Sequence, residues 1–126
     1  MPITDKQRAN QSLGERRISA ALESAGLDYE VEYVFPDLVA SSGRHLRFDF
    51  AVFDDNGDVW FLVEYQGEQH YQAVGKFNGG KGLGKQKFND RKKVEYCINN
   101  GYDLVVIPYT DFPLIDYDYI LNKVSF

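Results

Sequence analysis

The residues most able to do chemistry lie between Leu46 and Tyr71. Leu46-Arg47-Phe48-Asp49-Phe50-Ala51-Val52-Phe53 and Val59-Trp60-Phe61-Leu62-Val63-Glu64-Tyr65-Gln66 are apolar runs joined by Asp54-Asp55-Asn56-Gly57-Asp58, and Gly67-Glu68-Gln69-His70-Tyr71 follows. The Asp/Asn/Gly turn between two such runs predicts a β-hairpin. Each run carries one acid, Asp49 or Glu64, in apolar and aromatic surroundings. A carboxylate is costly to bury unless it is paired or binds a cation. Two brought together across a hairpin repel each other unless a divalent metal lies between them, and Mg²⁺ prefers such oxygen ligands. His70 adds a group that moves protons near neutral pH. The chemistry that suits this set is metal-assisted phosphodiester hydrolysis, in which the cation lowers the pKa of an attacking water and screens the leaving oxygen.

A second stretch supplies charge of the opposite sign. Lys76, Lys81, Lys85, Lys87, Arg91, Lys92 and Lys93 stand against one acid, Asp90, in a chain whose net charge is −5. Such a segment on an acidic protein can contact phosphates, or simply be a solvated charged face. The ending of a phosphate-binding P-loop, Gly-Lys-Ser/Thr, is absent, so nucleotide binding is not indicated. His45, ahead of the first apolar run, reads as incidental.

The elements that must position these groups follow from periodicity. Residues 1–11 are polar and read as a flexible N-terminus. Ser12-Leu13-Gly14-Glu15 fits a capping box, and Ile18, Ala21, Leu22 and Ala25 recur at helical spacing up to Gly26, predicting a helix over 13–25. Capping alone accounts for Glu15. Tyr29, Val31, Tyr33 and Phe35 alternate on one face of a strand that Pro36-Asp37 ends, with a loop over 38–43. In the next strand, 45–53, Leu46, Phe48, Phe50 and Val52 share one face and Arg47, Asp49, Ala51 and Phe53 the other. In 59–66, Trp60, Leu62, Glu64 and Gln66 face away from Val59, Phe61, Val63 and Tyr65. Six glycines over 67–87 predict a long loop. A helix over 88–100, capped by Asn89 or Asp90, would bury Val94, Cys97 and Ile98 and expose Lys92 and Lys93; as a first-turn acid, Asp90 has a structural explanation too. Leu104-Val105-Val106-Ile107 reads as a buried strand. Residues 108–126 are a C-terminal extension whose Leu114, Ile115, Tyr119, Ile120 and Leu121 predict a short helix on the core.

The expectation is one domain over 126 residues, of α/β (α+β) class, with a mixed sheet flanked by helices in the order α-β-β-β-α-β. A chain with 15% aromatic residues and 44% hydrophobic residues can fill one core. The single cysteine, Cys97, excludes an intrachain disulfide and a cysteine zinc cluster. No apolar run approaches the roughly 20 residues of a membrane span. The polar N-terminus reads as no secretory signal. The expected location is a reducing cytoplasm, with no membrane partner.

An Asp followed about 15 residues later by Glu-x-Gln at the end of an apolar strand, in this element order, resembles the PD-(D/E)XK nuclease superfamily, with Gln66 where its lysine usually stands. Val63 through Tyr71, Asp90-Arg91 and Gly101-Tyr102 are similar to the branch that holds very-short-patch repair endonucleases and the phage homing endonucleases with an EDxHD signature. The resemblance covers about residues 12–107. It implies a restriction-endonuclease-like core and places the signature on Glu15, Asp49, Glu64 (the variable position), His70 and Asp90. It implies a Mg²⁺-dependent DNA endonuclease, Mn²⁺ substituting. Asp49 and Glu64 would be the metal ligands, His70 the proton-transfer group, Glu15 and Asp90 orienting groups, and Gln66 and Gln69 supporting ones. Lys76, Lys81, Lys85, Lys87, Arg91 and Lys93 would contact DNA, with Lys85, Lys87 or Lys93 also supplying the charge of the absent lysine. With no separate DNA-binding domain, a homodimer, a partner protein or a structured DNA substrate would supply specificity. A phage or mobile-element origin, hence a bacterial host's cytoplasm, is also implied. The alternative is a non-catalytic nucleic-acid-binding or assembly module with a nuclease-like fold.

Overall fold

A computed structural model describes residues 3–67 and 79–124, with side chains over 79–87 left aside. In chain order it contains α1 (Asp5–Asn10), α2 (Leu13–Ser24), β1 (Asp28–Val39), β2 (His45–Phe53), β3 (Val59–Gln66), α3 (Gly79–Asn100), β4 (Asp103–Pro108), a 3-10 turn (Tyr109–Leu114) and α4 (Tyr117–Asn122). The four strands form one sheet in the order β1-β2-β3-β4. The first three are antiparallel and β4 lies parallel to β3, so the sheet is mixed. A parallel neighbour cannot be reached by a tight turn, and α3 precedes β4 in the connection.

Helices cover both faces. Ile18, Ala21 and Leu22 of α2 and Ile120 of α4 pack with Phe50, Val52, Phe61, Val63, Val105 and Ile107. Cys97 of α3 packs with Phe35, Leu38, Leu46, Phe48, Ala51 and Leu62 on the other side. The expected class and element order are observed.

Several local expectations are corrected. The N-terminal segment contains a helix, α1, which Thr4 and Gln7 start with a reciprocal capping box. β1 continues past Pro36 to Val39. It is an edge strand whose register slips between Val34 and Val39, so a proline without an N–H is tolerated there. α3 starts at Gly79, within the expected glycine loop, so Asn89 and Asp90 are interior positions and not caps. A glycine weakens a helix by about 1 kcal/mol but does not forbid it. Val94 and Ile98 are exposed, Ile98 by 72%, and only Cys97 of the expected apolar stripe is buried. Ile115 and Ile120 are buried in the C-terminal extension, whereas Leu114 is exposed.

Simple alternation also fails in two strands. Phe48 and Phe50 are both fully buried but belong to the two different clusters, as do their β1 partners Tyr33 and Val31. Between those partners Glu32 has φ 52°, the left-handed region, which reverses the side-chain direction. The change of face in β2 falls at Asp49. Trp60 packs with Phe61, its neighbour, and not with Leu62; here the register shifts between Val52 and Phe53.

Candidate active site

The β2–β3 ladder runs from Phe53↔Val59 to Phe50↔Val63 and goes no further. At the next step the side chains take over the backbone's partners. Tyr65 N–H donates to Asp49 Oδ2 at 2.7 Å, and Asp49 N–H donates to Glu64 Oε2 at 3.4 Å. Each carboxylate is thus tied to the facing strand, and the two stand side by side. Burial pushes the Asp49 carboxyl up to about 8; the adjacent Glu64 charge and the more distant Glu15 charge add to this, and the Tyr65 N–H opposes it.

Lys93 enters from α3. Its Nζ donates to Glu64 Oε1, and both side chains are 16% exposed. The ammonium also lies 5.5 Å from the centre of the Phe48 ring. Lys93 shares a helix face with Cys97, one turn away, whose burial against the sheet turns the lysine inward. The expected exposed, phosphate-contacting Lys93 is therefore an internal partner of Glu64. Its spacing from Asp90 and Cys97 was the available signal.

Asp49, Glu64, Gln66, Asp90 and Lys93 line one cavity of about 210 Å³, with Leu104 and Val106 of β4 at its wall. Four expected site residues and one expected DNA contact are thereby brought together. Glu15 lies elsewhere. It lines a second cavity, of about 170 Å³, between α1, the start of α2 and β1, which shares Asp49 with the first. Its side chain accepts from Ser12 N–H at 2.9 Å, completing the predicted cap. Glu15 is thus a capping residue whose charge also reaches Asp49. Arg91 is exposed on α3. His70, Gln69 and Lys76 lie outside the described residues, as do the side chains of Lys81, Lys85 and Lys87. His45 is exposed, with Nε2 3.2 Å from Pro36 O.

Among the described residues no group of three or more His, Cys, Asp or Glu side chains forms a ready metal cage. Two carboxylates do meet, and that set suits a cation that keeps most of its waters, as Mg²⁺ does. Burial and the Glu64 charge both raise Asp49, and a dication would offset both.

Among known proteins, the chain is similar to "Uncharacterized protein 307L" of Invertebrate iridescent virus 6, with 30% identity over 88 residues, covering 68% of this chain and 43% of that protein. The chain therefore spans less than half the length of this relative. No family model and no solved structure matches it. Among the described residues no helix is long and apolar enough to cross a membrane. What stands is a mixed α+β domain with two facing carboxylates and a half-buried ammonium in one cavity.

Proposed function

We propose that the chain is a metal-dependent DNA endonuclease and that Asp49 and Glu64 hold its divalent cation, Mg²⁺ or Mn²⁺. The observation that carries this reading is the pairing of Asp49 and Glu64 at the point where the β2–β3 ladder ends. Two acids side by side, one of them raised to about 8 first by burial and then by the other's charge, are a poor device for stability. They are a good one for binding a dication. When bound, the cation supplies acidity to a water and screens charge on the leaving oxygen.

The chain's own groups would do the rest. The backbone N–H of Tyr65 fixes the Asp49 carboxylate, leaving its orientation independent of solvent. Lys93 supplies the positive charge that Gln66 cannot. Asp90, one turn before Lys93, lines the same cavity and orients groups within it. His70 is assigned proton transfer from its resemblance to the EDxHD signature, and the basic stretch over 76–93 the contacts to the DNA backbone. Specificity is assigned to a second copy, a partner protein or a structured DNA. The similarity to a viral protein supports, of the expected origin, only that a related sequence occurs in a virus.

The test is incubation of the purified protein with supercoiled plasmid and with branched DNA, in Mg²⁺, in Mn²⁺ and in chelator, beside Asp49→Ala and His70→Ala. Metal-dependent nicking that both folded variants lose supports the nuclease. Salt-sensitive DNA binding without cleavage of any substrate replaces it with a binding or assembly module.

A further inference from the structure

We infer that Lys93 is a stand-in cation for Glu64, exchanged for a divalent metal when the site loads and then passed to a phosphodiester oxygen of the substrate. This rests on the reading of Asp49 and Glu64 as metal ligands and adds a change of partner that the reading does not require.

Three observations carry it. First, three of the four carboxylate oxygens are already engaged: Asp49 Oδ2 by Tyr65 N–H, Glu64 Oε2 by Asp49 N–H, and Glu64 Oε1 by Lys93. The oxygen of Glu64 that Lys93 holds is the one not tied to the facing strand. A dication that took Glu64 by Oε1 would share that oxygen with an ammonium, and two cations on one oxygen repel strongly where water is scarce. Second, a dication on Glu64 takes over the counter-charge that Lys93 now supplies, and the displaced ammonium then needs an anion, which a phosphodiester oxygen provides. Third, Lys93 and Glu64 face the same cavity as Gln66 and Asp90, so the released ammonium has space and polar neighbours in place of a packed wall. Its long stem lets the head, which lies 5.5 Å from the centre of the Phe48 ring, leave Glu64 without a movement of α3.

The exchange separates from a fixed structural ion pair by metal affinity and by lysine accessibility. Mn²⁺ binding is measured by calorimetry for the wild-type chain, Lys93→Met and Glu64→Gln. Removing the competing ammonium should tighten Mn²⁺ binding of Lys93→Met roughly tenfold, and Glu64→Gln should weaken it. In parallel, amine labelling of the wild-type chain, read by mass spectrometry, should modify Lys93 several times faster with Mn²⁺ than with chelator. That measurement stands even if Lys93→Met fails to fold. Mn²⁺ binding with equal affinity in the wild type and Lys93→Met, or Lys93 labelling unchanged by Mn²⁺, overturns the exchange and leaves the metal site intact. No Mn²⁺ binding by any folded chain overturns the reading of the site itself.

Discussion

Gly14 stands directly against the Tyr65 ring: a Cβ at position 14 would lie 2.1 Å from Tyr65 Cζ. The contact seats α2 on β3 at the residue whose N–H holds Asp49, and it brings Glu15 within electrostatic reach of Asp49. A side chain at position 14 would displace the Tyr65 ring from its seat on α2. Gly14→Ala should therefore destabilise the fold by about 1–3 kcal/mol. The cost should shrink in a Tyr65→Ala background, so a double-mutant cycle by chemical denaturation checks it. Additive effects would show that the two residues do not meet.

Asp49 should oppose stability in the absence of metal. Its carboxyl is raised from the ordinary range to about 8. The folded chain thus holds the proton more tightly than the unfolded chain, and this contribution is complete below pH 4 and lost as pH rises through 8. Asp49→Asn removes the penalty. In chelator the variant should match the wild type near pH 4 and exceed it by on the order of 2 kcal/mol at pH 8, roughly 5–10 °C in Tm. Mg²⁺ should raise the wild-type Tm and leave that of the variant unchanged. A variant less stable than the wild type at pH 8 would make Asp49 a structural acid.

Glu15 has two roles that can be separated. Its carboxylate caps α2 through Ser12 N–H, and a glutamine oxygen can accept the same bond. Glu15→Gln should change stability by less than about 0.5 kcal/mol, while Ser12→Ala, which loses the hydroxyl on Glu15 N–H, should cost about 1 kcal/mol. If Glu15 also acts on the site, Glu15→Gln should lower plasmid nicking at least tenfold, whereas Ser12→Ala should leave it near wild type once folded. Equal nicking by Glu15→Gln and the wild type would confine Glu15 to capping.

The basic stretch offers a test independent of cleavage. Replacing Lys81, Lys85 and Lys87 with glutamine should weaken duplex binding and flatten its dependence on salt, by roughly 0.9 in the log–log slope for each phosphate no longer neutralised. An unchanged slope would remove these lysines from the DNA-binding surface.

Much of this arrangement was legible in the chain. Ser12-Leu13-Gly14-Glu15 announces α2, the Asp/Asn/Gly turn announces the hairpin, and the apolar run over 104–107 announces β4. Asp49 and Glu64 stood out because acids are rare in such surroundings. What was hidden depends on contacts between distant segments. Glu32 in the left-handed region carries no strong local signal, yet it accompanies the change of face between Phe48 and Phe50. The start of α3 at Gly79 runs against local propensity, which misled the placement of its caps. The inward turn of Lys93 follows from which helix face meets the sheet, and Val94 and Ile98 suggested the wrong one. Thr4 and Gln7, by contrast, form a capping box that can be read in a segment whose polarity predicts a flexible terminus.

The central claim is that Asp49 and Glu64 share one divalent cation, and a crystal grown or soaked with Mn²⁺ and measured for anomalous scattering tests it most directly. The account predicts one strong anomalous peak within about 2.3 Å of an oxygen of each carboxylate, lost in Asp49→Asn. Ordered Asp49 and Glu64 side chains at saturating Mn²⁺ with no peak between them would contradict it.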